Sequence, residues 1–65
     1  MKTAAFMIKV KIVFATLFEL WDYRGIVSRR VLETMCWKRS ITCLCTEAEI
    51  ELARNAYHAK VEEIK

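Results

Sequence analysis

The chain holds almost nothing that turns a backbone easily: there is no proline and a single glycine, Gly25, in 65 residues. Sandwiches and barrels need a turn residue every few positions, whereas helices run long without one. The sequence therefore predicts an all-α protein. Its one domain, residues 1–65, is expected to hold three helices at about 3–23, 27–41 and 47–63. Gly25 should form the main corner, one step past the end of the first helix, where a left-handed conformation is easiest for glycine.

The third helix has the clearest signature. Thr46-Glu47-Ala48-Glu49 reads as a capping box, with the Thr46 hydroxyl accepting from the Glu49 amide and the Glu49 side chain reaching back to the Thr46 amide. Ile50, Ala53, Tyr57, Val61 and Ile64 follow at helical spacing and give one apolar stripe. The middle helix has Ser28 as a plausible cap, with Val31, Leu32, Met35 and Cys36 on one face. The weak helix formers of Ser40–Thr46 read as the second corner.

The first segment admits two readings. Residues 7–14, MIKVKIVF, alternate apolar and charged positions and are rich in β-branched side chains, as in an edge strand. No second strand is apparent in the chain, so that reading needs a partner strand from another subunit. The helical reading covers more residues. It places Phe6, Val10, Val13, Phe14, Leu17, Leu20 and Trp21 on one broad face. It also leaves a second apolar stripe, Ala5, Ile8, Ile12 and Ala15.

That second stripe fits the composition. A chain this short buries only about 60% of its unfolded surface, yet 55% of its residues are apolar. The excess points to a homodimer of helical subunits, intertwined or side by side, with Ala5, Ile8, Ile12 and Ala15 as its interface. The net charge of +3 is uneven. Arg24, Arg29, Arg30, Lys38 and Arg39 gather in the middle, and five glutamates lie in the tail. The basic middle offers a patch to an anionic partner.

Chemistry has little support. Cys36, Cys43, Cys45 and His58 do not have zinc-site spacing, since zinc sites use a close cysteine pair two to four residues apart. No nucleophile motif, paired carboxylates or glycine-rich phosphate loop is present. The expectation is a non-enzymatic protein with no catalytic residues, no metal, no cofactor and no small-molecule substrate. Three cysteines do not close a disulfide scaffold, and Lys9 and Lys11 interrupt any secretion signal, so a reduced, cytoplasmic protein is expected. The same lysines and Glu19 weigh against membrane association.

The function that follows is a small regulatory or interaction protein that homodimerises and binds another macromolecule, a protein partner before a nucleic acid. Its size is common among phage and mobile-element accessory proteins. The alternative is a nucleic-acid-binding regulator. In that reading Leu20 to Arg39 forms a helix, a glycine turn and a basic helix in helix-turn-helix outline. Arg29 and Arg30 lead it, and Arg24, Lys38 and Arg39 contact phosphates.

Overall fold

The computed structural model describes residues 7–64. Its elements are β1 (Ile8–Val13), α1 (Leu17–Val27), β2 (Val31–Met35), β3 (Ser40–Cys45), α2 (Glu47–Ala56) and β4 (Lys60–Glu63), with 3-10 turns at Ser28–Arg30 and Cys36–Lys38. The strands form one antiparallel sheet in the order β2-β3-β1-β4. Two helices cover one of its faces. The βαββαβ connectivity is a split βαβ arrangement, since β3 lies between β1 and β2.

The all-α expectation is therefore corrected to an α/β fold of a four-stranded sheet and two helices. The segment 3–23 is not one helix: strand β1 occupies Ile8–Val13, and α1 starts only at Leu17 and runs on to Val27. The segment 27–41 holds no α-helix beyond Val27; a 3-10 turn, β2, a second 3-10 turn and the start of β3 fill it. The third helix stops at Ala56, and Lys60–Glu63 is a strand. The all-helical subunit expected for the dimer is therefore replaced by this α/β subunit.

The strand partners came from segments that looked like a corner and a helix end. In β1 the alternation sends Val10 and Ile12 into the core, both at 0% exposure, and Lys9 and Lys11 to the other face. Opposite them, Ile41, Cys43 and Cys45 of β3 alternate in the same sense, with Ile8 paired to Cys45, Val10 to Cys43 and Ile12 to Ile41. β4 flanks β1 on its other side through Ile12–Val61 and Lys11–Glu62. β2 pairs with β3 across a register shift between Val31 and Glu33.

Leu20, Tyr23 and Val27 of α1 and Ile50 and Ala53 of α2 close the core over that face. Phe14, Tyr23 and Tyr57 make an aromatic triangle with centroids 5.4 to 6.0 Å apart. Each such pair contributes about 0.5–1.5 kcal/mol beyond its buried area. The capping box at Thr46 and Glu49 is present and starts α2 immediately after β3.

Gly25 is not a corner. It sits inside α1 with an ordinary helical backbone, and α1 ends instead at Ser28, whose φ is 23°. The left-handed positions are held by side-chain-bearing residues: Ser28, Arg39 (φ 52°) and His58 (φ 53°). Arg39 turns the chain into β3, and His58 turns it from α2 toward β4.

Candidate interaction surface

α1 is built with apolar side chains on more sides than its core contact requires. Leu20, Tyr23 and Val27 recur at three- and four-residue spacing and are buried. At 100° per residue the opposite side carries Phe18 and Gly25, with Trp21 and Asp22 beside them. Phe18 is 80% exposed, and Leu17 and Trp21 are close to half exposed. A Cβ at Gly25 would meet nothing within 4 Å, so the helix surface there is open and flat.

The two flanks of α1 differ. On one, the Arg24 guanidinium lies 5.3 Å from the Trp21 ring centroid, and Arg24 Nε donates to Thr34 Oγ1 of β2 at 3.0 Å. That bond places the Leu17–Trp21–Arg24 flank beside the outer strand β2. Leu32 of β2 is exposed, and Trp37, in the turn after β2, is 76% exposed with Lys38 Nζ 4.8 Å from its ring centroid. On the other flank Tyr57 Oη donates to Asp22 Oδ2 at 2.7 Å, which ties α1 to the end of α2. The Asp22 carboxylate accepting that proton pushes the Tyr57 phenol up to about 12.

The basic residues expected to meet an anion are divided among different tasks. Arg30 is taken up by Glu49 in a two-pronged ion pair, Nη1–Oε1 2.7 Å and Nη2–Oε2 2.5 Å. The pairing raises the Arg30 pKa and lowers that of Glu49 through the same bonds. Arg24 is bonded to Thr34, and Arg39 Nε donates to the Phe14 carbonyl at 3.2 Å. Arg29 and Lys38 are exposed on the 3-10 turns at either end of β2. The helix-turn-helix outline is absent, because the segment after α1 is a 3-10 turn and a strand.

The four residues expected to form a dimer stripe are not on one helix face. Ile12 is in the core, Ile8 is half-buried at the start of β1, and Ala15 is exposed in the β1–α1 loop. Ala5 lies outside the described residues. The exposed aromatic surface of Phe18, Trp21 and Trp37 was hidden from the sequence reading. There, Trp21 joined the inward face of a longer helix and Trp37 a helix that does not exist.

Under α1 lies a buried polar cluster. Tyr23 Oη donates to the Glu49 carbonyl at 2.7 Å and lies 3.6 Å from Cys45 Sγ; Cys43 Sγ is 3.2 Å from Cys45 Sγ. Burial pushes the Tyr23 phenol up. The thiol contact raises Cys43, with burial adding to it, and the same contact lowers Cys45. Both sulfurs are fully buried side chains of the central strand and pack as small core groups. Cys36 is exposed on the turn after β2, and His58 is exposed before β4. Among the described residues no three His, Cys, Asp or Glu side chains are placed to hold one metal ion. No helix among them is long and apolar enough to cross a membrane.

No family model matches the chain, and no curated protein or solved structure matches it.

Proposed function

We propose that the protein is a small, non-enzymatic interaction module that acts by binding another macromolecule through α1 and the turn after β2. The observation that carries this reading is the exposure of large aromatic side chains, Phe18 at 80% and Trp37 at 76%, on a domain that needs apolar residues for its own core. Aromatic residues rimmed by arginine and lysine are typical anchors of protein interfaces. Arg24 beside Trp21 and Lys38 beside Trp37 have that form. A protein partner is favoured over a nucleic acid, since Arg30, Arg24 and Arg39 are already engaged within the fold.

The test is cross-linked capture from cell extract with wild type and with Phe18→Asp/Trp37→Asp as bait, each with and without nuclease. A specific set of captured macromolecules that the double variant loses, while keeping its melting temperature, supports the reading. A wild-type bait that retains nothing above control overturns it. A gel-shift series at low salt checks the nucleic-acid alternative, because phosphate contacts would make any binding steeply salt-dependent.

A further inference from the structure

The two outer strands of the sheet are unlike in charge. Among the described residues β2 is paired on one side only, with β3, and β4 on one side only, with β1. An outer strand with free amides and carbonyls is a template for another strand unless charge or covering segments blunt it. β2, Val31–Met35, carries a single charge, Glu33, and is flanked by Arg24, Arg29 and Lys38. With Arg30 held by Glu49 and Arg39 by the Phe14 carbonyl, that side has three bases against one acid. The β4 side has Glu47, Glu51, Glu62 and Glu63 against Arg54 and Lys60, four acids against two bases.

We propose that these two sides are complementary, so that the β2 edge of one copy of this chain accepts the β4 edge of a second copy and the sheet continues from molecule to molecule. Strand direction permits it. β1 is antiparallel to both β3 and β4, and β3 is antiparallel to β2, so β4 and β2 run in opposite directions. A second copy in the same orientation therefore extends an unbroken antiparallel sheet. That pairing brings the end of β4, Glu62 and Glu63, to the start of β2, where Arg29 lies. It brings Lys60 to the far part of β2, Thr34 and Met35, which follows Glu33 and leads into the turn of Lys38.

The helices follow the same sign rule. A shallow groove beside β4 is lined by Ile8, Ile50, Glu47, Glu51, Arg54 and Glu63, a mostly polar surface with three acids against one base. The matching flank of α1 beside β2 offers Trp21 with Arg24 over its ring. A symmetric contact of β2 with β2 would instead bring three bases against three. A contact between unlike edges does not close after two copies, so association proceeds beyond the dimer. The inference does not depend on the proposed function: the two share the Trp21–Arg24 flank, but the sheet edges belong to self-association, and Phe18 and Trp37 to partner capture.

Sedimentation velocity over a concentration series, at low and high salt, reads the outcome. The expected result is a wild-type mass that rises past twice 7.7 kDa with concentration and falls back in high salt. Glu62→Lys/Glu63→Lys and Trp21→Glu/Arg29→Glu should each weaken association at least tenfold while keeping the wild-type circular dichroism spectrum. An equimolar mixture of the two variants should associate again, since each still has one native edge for the other. A wild type that stays at 7.7 kDa in low salt overturns the proposal, as does unchanged association of Glu62→Lys/Glu63→Lys. A mixture of folded variants that remains monomeric also overturns it. If self-association is lost but Phe18- and Trp37-dependent capture persists, the edge contact fails and the proposed function stands.

Discussion

The two helices sit on the same face of one sheet, yet they are built on different rules. α2 is economical. A capping box starts it, Ile50 and Ala53 face inward, and the outer positions are charged or small apart from Leu52. α1 also buries three side chains, but it surrounds them with Leu17, Phe18, Trp21 and Ile26, all substantially exposed. Stability alone accounts for the capping box and the buried face of α2. It does not account for Phe18, which folding leaves in water at a cost in solubility. Where a small protein keeps apolar surface that its own core does not use, binding is the economical explanation.

The comparison breaks if α1 contributes surface and no core. Leu20→Ala should cost about 2–5 kcal/mol, as a fully buried leucine truncation does, and can unfold a domain of this size. A urea midpoint shift worth less than about 1 kcal/mol would mean that α1 is not the second wall of the core. On the α2 side, Glu49→Ala removes a two-pronged ion pair and half of the capping box, at an expected cost of about 2 kcal/mol. Because Arg30 lowers the Glu49 pKa in the folded state, this contribution is present above the ordinary glutamate range. It is lost as pH falls through the folded value. The acid limb of the wild-type stability curve should therefore flatten in the variant.

Smaller changes sharpen the contrast. Gly25→Ala should stabilise the protein by about 0.5–1 kcal/mol, since the new methyl meets no atom and helix propensity improves. A loss of partner capture by that stabilised variant would show that the flat spot on α1 serves binding. Tyr57→Phe removes the bond that joins the two helices at Asp22 and should cost about 0.5 kcal/mol near neutral pH. The folded phenol titrates at about 12 against an ordinary 10.0, so its contribution is complete below 10 and disappears as pH rises through 12. The variant should lack that alkaline loss. Phe18→Ser should change the thermal midpoint least, by less than about 0.5 kcal/mol in stability, because the ring touches little of its own fold.

What the sequence disclosed and what it concealed divide along physical lines. The Thr46–Glu49 capping box is a local hydrogen-bond pattern, and it stands in the fold as read. The alternation of Ile8–Val13 was also visible, but a strand is credible only with a partner, and partners are set by the whole chain. Ser40–Cys45 carries the same alternation in Ile41, Cys43 and Cys45, weakened to the eye because cysteine reads as neutral. Val61 fell on the helical stripe of Ile50, Ala53 and Tyr57 by coincidence of spacing, and the break at His58 gives no glycine to announce it. The turns were concealed because Ser28, Arg39 and His58 adopt backbone angles usually left to glycine. For Arg39 the reason is on view: Phe14 donates its N–H to the Arg39 carbonyl at 2.8 Å, while Arg39 Nε donates to the Phe14 carbonyl. A glycine there would turn the chain more cheaply and would forfeit the second of those bonds. The interaction surface was out of reach for a different reason: which side of a helix faces water depends on where the sheet lies.

The order of strands in the sheet also sets a timetable. β1 touches only β3 and β4, and β2 touches only β3. Among the described residues, a chain growing from its N-terminus thus has no ladder to form until residues 40–45 have been made. During that interval Val10, Ile12, Leu20 and Tyr23 have no sheet to cover. β3 is the keystone of assembly, and a ribosome-bound chain truncated before Ser40 should bind folding assistants strongly and release them once Cys45 has emerged.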